Sequence, residues 1–311
     1  MTTTAPSEKR AAWPETPPRK PLLRHLSGQV IESQTWLETL ANPLQKWIQS
    51  LNSPGMRKLK DLLQGTWLGH PVHPIVTDIP IGSWTSTMLL DALSLVSENP
   101  GIEQAADATL LLGLFGSGAS ALTGLTDWSE TDATDRRVGM AHGLLNGGAL
   151  LSNILSYGLR RTGNRRAGIV AAGLGYTLTI AAAYLGGELS FAKGVGVNRL
   201  AWEGGSEDFV EVLDAEDLPT KKLTRVEADG IPVVLWKEKQ KIYALAATCS
   251  HVGGPLDEGT CENGAINCPW HGSSFRLSDG AVVCGPAVYS QPTFAVRVRA
   301  GKIELRRLEH A

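Results

Sequence analysis

Two short segments near the C-terminus, "TCSHVGGPL" at 248–256 and "CPWHGSSF" at 268–275, decide how this chain is read. Each puts a cysteine two or three residues ahead of a histidine: Cys249 with His251, and Cys268 with His271. Sixteen residues separate His251 from Cys268, and no cysteine occurs before position 249. Four cysteines confined to one region of a 311-residue chain do not make a disulfide scaffold. Clustered with histidines they read as metal ligands, because thiolate and imidazole are the donors that zinc and iron–sulfur clusters take. On ligand type alone a closed Cys₂His₂ zinc site and an iron–sulfur site both remain, although the usual zinc spacing places cysteine next to cysteine before the histidines.

Working outward from these segments, residues 209–308 alternate short β-branched runs with turns: "FVEVL", "KLTRVEA", "IPVVLW", "KIYALAA", "AINC" and "FAVRVRAGKIELR". This pattern predicts a small antiparallel all-β domain whose sheet is interrupted by both cysteine–histidine loops. A Gly-containing linker at 199–208 precedes it.

Upstream the composition inverts. Within residues 69–198, the part from about Ile79 to Gly187 is poor in charge and rich in Gly, Ala and Leu, with apolar stretches near 79–97, 105–126, 138–159 and 167–189. Each approaches the ~20 residues that a helix needs to cross a hydrocarbon core. The glycines, costly in soluble helices, favour close helix approach in lipid. The expectation is an α + β multidomain protein with an N-terminal transmembrane four-helix bundle; a soluble helical domain is the alternative. Residues 29–68 carry apolar positions at helical spacing and predict amphipathic helices, lying on a membrane surface or packed on protein. Residues 1–28, proline-rich and of mixed charge, predict a disordered tail with no secretory or twin-arginine signal. A net charge of −2 provides no basic field for nucleic acid.

The order and spacing C-x-H, sixteen residues, C-x-x-H resembles the binding motif of the Rieske [2Fe-2S] family, and "HVGGPL", "CPWHGSSF" and Gly285–Ala287 extend the likeness from Phe209 to Arg307. The resemblance implies one [2Fe-2S] cluster, with Cys249 and Cys268 on one iron and His251 and His271 on the other. Around them it implies supporting roles for Gly253, Trp270, Ser273 and Pro286. High-potential members carry a disulfide between the two loops; Gly254 and Trp270 stand at those positions here, and Phe275 replaces a tyrosine hydroxyl. Fewer hydrogen bonds to sulfur lower the potential, so a low-to-intermediate value is expected. Cys261 and Cys284 read as buried reduced thiols.

The resemblance implies a membrane-anchored, ferredoxin-like electron carrier with a redox protein as donor or acceptor. A redox-sensing or assembly component is the alternative, and the ferredoxin of an oxygenase system with a soluble helical domain is a further one. The histidines outside the cluster motif do not resemble a catalytic oxygenase domain, so no catalytic residues are expected. The stretch 69–198, with "GHPVHP", "TGLTDW", "AHGLLN" and "GVGVN", is similar to an uncharacterised bacterial membrane family. Intramembrane ionisable groups make His70, His73 and His142 a speculative site, either for b-type haem or as a polar network with Asp78, Asp127 and Asn146. Lys and Arg near the N-terminus, Arg136 and Arg137 favour a multi-pass protein of the cell membrane with both ends in the cytoplasm; Arg160, Arg161, Arg165 and Arg166 argue the other way.

Overall fold

A computed structural model describes residues 30–97 and 99–308. The tail expected at 1–28 lies outside them. Six α-helices precede an antiparallel all-β region: α1 Trp36–Ser50, α2 Pro54–Gln64, α3 Val72–Ser94, α4 Pro100–Trp128, α5 Ala133–Arg161 and α6 Arg165–Gly187. A turn of π-helix at Glu188–Ala192 ends α6. The long helices α3 to α6 contain the four apolar stretches, and α4 and the α6 segment are long and apolar enough by themselves to cross a membrane.

The helices approach closely where one of them has no side chain. A Cβ on Gly113 of α4 would stand 2.2 Å from the Trp84 indole of α3, and one on Gly175 of α6 would stand 2.5 Å from the Asn153 amide of α5. Small residues at such contacts let backbones pack and gain dispersion energy without large apolar knobs.

This bundle buries polar as well as apolar side chains and leaves large apolar ones outside. Thr87, Asp91, Ser120, Asn153, Ser156, Arg160 and Thr179 are buried between the helices, while Phe115, Leu151 and Val170 are 77%, 68% and 73% exposed on the outside. At the end formed by the α3–α4 and α5–α6 turns, the Arg160 guanidinium forks onto both oxygens of Asp91 and reaches Asp107 at 3.0 Å. Arg165 joins through Asp107 at 3.1 Å and Glu103 at 3.3 Å.

At the other end α1 packs through Leu37, Ala41 and Ile48 against Trp128 and Met140. Gln45 secures it, donating from Nε2 to the carbonyls of Ser129 and Thr131 and accepting from Arg136. The apolar stripe of α1 is thus packed on protein, while its Trp36 and Trp47 remain exposed.

The β region forms three antiparallel sheets, ordered β1-β10-β9, β2-β3-β4 and β5-β6-β7-β8. β1 is Val210–Asp214, β2 Thr224–Ala228, β3 Ile231–Glu238, β4 Lys241–Ala246, β5 Thr260–Glu262, β6 Ala265–Asn267, β7 Ser274–Arg276, β8 Val282–Cys284, β9 Phe294–Arg299 and β10 Lys302–Arg307. The runs read from sequence coincide with β1 to β4, β6, β9 and β10. No run read from sequence covers the three-residue strands β5, β7 and β8. Cys261 and Cys284 lie on β5 and β8, opposite edges of one sheet, both free and half-buried rather than fully buried as expected.

Asp91 and Arg160 are each about 1% exposed at their side chains, so removing one partner strands a buried charge. D91L is expected to destabilise the protein by about 3 kcal/mol, with the double variant D91L/R160L recovering most of that loss. Unfolding in detergent micelles measures both, and a single variant as stable as the parent contradicts the analysis.

Candidate metal centre

The cysteine–histidine loops are built alike. In the first, the Gly253 N–H donates to the Cys249 carbonyl at 2.9 Å and the Cys249 N–H to the Gly254 carbonyl at 2.8 Å. In the second, Gly272 donates to Cys268 at 3.1 Å and Cys268 to Ser273 at 2.8 Å. Each loop therefore closes four and five residues after its cysteine, and the glycine at the fourth position has positive φ, +86° for Gly253 and +76° for Gly272. A Cβ is disfavoured in that conformation. Gly254 answers a different demand, since a Cβ there would lie 2.8 Å from the Cys268 sulfur and 3.1 Å from Trp270.

The loops bring four side chains together as two like pairs. Cys249 and Cys268 hydrogen-bond thiol to thiol inside a core that includes Val234, Leu245, Ile266 and Phe275. His251 and His271 stand edge to face with ring centres 5.1 Å apart. Two imidazoles bound to one ion at about 2.1 Å and a tetrahedral angle have ring centres roughly 5 Å apart, so the spacing suits a shared metal. Among the described residues no three His, Cys, Asp or Glu side chains converge on one ion position.

Backbone donors favour ionised sulfur. The N–H groups of His251 and Val252 point at the Cys249 sulfur, and those of Trp270 and His271 at that of Cys268. The Cys268 thiol is pulled down to about 6, chiefly by the hydrogen bond from Cys249 and then by those two N–H groups. Cys249 is pushed up, by its hydrogen bond to Cys268 and then by burial. Burial lowers His251 to about 3, helped by His271 and Arg199 nearby, and so keeps it a neutral imidazole able to donate a lone pair. Two thiols with aimed donors and two imidazoles, one of them held neutral, fit the ligand set of a [2Fe-2S] cluster with mixed sulfur and nitrogen donors.

Sequence reasoning missed the residue that holds the first loop. Gln291, fully buried, accepts from the Ser250 N–H at 3.1 Å and donates to the carbonyls of Ala246 and Thr248. Ser250 also donates its hydroxyl to Tyr289, at 2.8 Å. No motif marks Gln291, because it lies forty residues from its partners. Among the expected supporting residues, Ser273 accepts from the Ala287 N–H at 3.0 Å, which leaves its own O–H free to donate. Pro286 lies in that third loop, and Trp270 is 56% exposed beside His271.

The cluster loops face the helical region. The Asp61 carboxylate of α2 accepts from the Gly285 N–H at 2.9 Å, and Asp132, between α4 and α5, lies 3.4 Å from Nε2 of His271. The speculative histidines divide. His73 and His142 approach to 6.5 Å between ring centres, whereas His70 is exposed and bonded to the Pro71 carbonyl. His142 uses both nitrogens, Nδ1 on the Ala182 carbonyl at 2.8 Å and Nε2 on the Asn146 amide at 3.0 Å. His73 bonds Thr123 at 3.2 Å, and Asp78 is exposed on the outside.

Replacing Gln291 by leucine strips the buried Ser250 N–H of its acceptor. Q291L is expected to cost about 1–3 kcal/mol and to lower the iron bound per chain. G254A should lower bound iron as well, by pushing on the Cys268 sulfur. Iron analysis and thermal unfolding read both, and unchanged iron in the two variants contradicts the loop geometry.

Two regions of the chain match known families. Residues 208–295 match the Rieske [2Fe-2S] domain, and residues 69–199 match a family described as predicted membrane protein (DUF2231). The chain is 33% identical over 107 residues to apoptosis-inducing factor 3 of Mus musculus, covering 34% of this chain but 18% of that protein. It is 29% identical to ferredoxin CarAc of Metapseudomonas resinovorans, over 30% of this chain and 90% of the ferredoxin. It is 32% identical to the 3-phenylpropionate/cinnamic acid dioxygenase ferredoxin subunit of Escherichia coli K12, over 28% of this chain and 82% of the subunit. Through its C-terminal domain the chain belongs to the Rieske [2Fe-2S] family, joined here to an N-terminal DUF2231 domain.

Proposed function

We propose that this is a multi-pass membrane protein carrying one Rieske [2Fe-2S] cluster and passing single electrons between a soluble redox protein and a membrane partner. Cys249 and Cys268 hold one iron, and His251 and His271 hold the other. The observation that carries this reading is the pairing of thiol with thiol and ring with ring, with backbone N–H groups aimed at both sulfurs. When bound, the cluster takes up and releases one electron at a time; the chain supplies its ligands, excludes water from the sulfurs and exposes Trp270 beside His271 as a contact for a partner. Relatives named as ferredoxins support carriage of electrons over sensing. Phe275 offers no hydroxyl where high-potential members carry a tyrosine, which supports a low-to-intermediate potential in the roughly −150 to +300 mV range of such centres.

Membrane insertion is supported by the burial pattern of the helical domain: polar groups inside, Phe115, Leu151 and Val170 outside. Such a surface in water is an aggregation liability, and in lipid it costs nothing. The Rieske domain faces the cytoplasm. Its end of the bundle carries Lys46, Arg57, Lys58, Lys60, Arg136 and Arg137, against Arg160, Arg161, Arg165 and Arg166 at the far end, where Arg160 and Arg165 are paired with Asp91, Asp107 and Glu103. The His73–His142 pair orders helices. His142 already spends both nitrogens on Ala182 and Asn146, which leaves haem without a donor from it.

Reduced membranes containing the protein should give the EPR signal of a nitrogen-ligated [2Fe-2S] centre, and replacing His251 and His271 together with alanine should abolish it. Zinc alone in the purified protein, or the signal in the soluble fraction, overturns the reading. For orientation, W202C should react with an impermeant maleimide in inverted vesicles and not in right-side-out ones, measured against the parent chain.

A further inference from the structure

Two charges from outside the Rieske domain flank its two histidines. On one side the carboxylate of Asp132, in the turn between α4 and α5, stands 3.4 Å from the outer nitrogen of His271. Glu130 stands behind it, accepting from the Ser129 hydroxyl at 3.0 Å. On the other side Arg199, where the helical domain ends, donates its backbone N–H to the Ser250 carbonyl at 3.0 Å, one residue before His251. Its guanidinium returns to the Lys193 carbonyl at 3.2 Å and is near enough to His251 to act on that ring.

An added electron is an added negative charge. A carboxylate close by disfavours it and a guanidinium favours it, with strength falling as distance and dielectric grow. We propose that Asp132 and Arg199 set the reduction potential of the cluster in opposite senses, Asp132 lowering it from the His271 side and Arg199 raising it from the His251 side. The helical domain is then a positioning partner of the redox centre as well as its anchor. This inference rests on the cluster reading above. Both residues reach water, Asp132 with 79% of its side chain exposed, so salt screens the effect.

The test is a mediated redox titration of the full chain in detergent, followed by EPR, at low and high ionic strength. D132N should raise the midpoint by a threefold or larger shift in the reduction equilibrium, about 28 mV on the one-electron scale of 59 mV per tenfold. R199Q should lower it by a comparable amount. D132E and R199K, which keep the charge, should stay near the parent, and both shifts should shrink at high salt. A purely structural role would move both variants in one direction, would broaden the EPR line and would not respond to salt. Unmoved midpoints with the cluster intact, or shifts of one sign, overturn this inference alone. Absence of the EPR signal from the parent chain overturns the cluster reading instead.

Discussion

Two sulfurs held in contact inside an apolar core are the constraint from which the rest of the C-terminal domain follows. Cys249 and Cys268 meet among Val234, Leu245, Leu256, Ile266 and Phe275, where a thiolate without donors is costly. Each loop answers by curling around its own sulfur, so that successive N–H groups point inward. That curl demands positive φ at Gly253 and Gly272, and the contact between loops demands a bare backbone at Gly254. Gln291 and Ser273 then tie the loops to the third loop by satisfying buried N–H groups that the curl takes away from the sheet.

The helical domain solves the opposite problem. Its outside is apolar, so the groups that need partners are gathered within, and they are gathered at the two ends. At the far end the Asp91–Arg160–Asp107–Arg165 network crosses all four long helices. Near the Rieske domain, His73 bonds Thr123 and His142 bonds Asn146, with the two rings edge to face. Removing one partner of a buried ion pair strands the other charge, which makes the network a register lock between helices.

The two parts meet where both are polar. Asp61 receives the Gly285 N–H, Asp132 faces His271, and Arg199 bonds Ser250. These contacts place the histidine edge of the site against the mouth of the bundle rather than leave it at the end of a free tether. Trp270 remains accessible beside it.

The two cysteine–histidine loops with their glycines, and the all-β and all-helical halves, were legible in the sequence, because each depends on local spacing. C-x-H and C-x-x-H state which donors share a loop, and the apolar stretches state which helices are long. Gln291, Asp61, Asp132 and the Arg160 network were not legible. Each partners a group forty to over two hundred positions away, and no local period records such a meeting. The sequence by itself determined what chemistry the chain can bind. Only the tertiary structure decided which charges surround it, since electrostatic contact depends on distance through space and not along the chain.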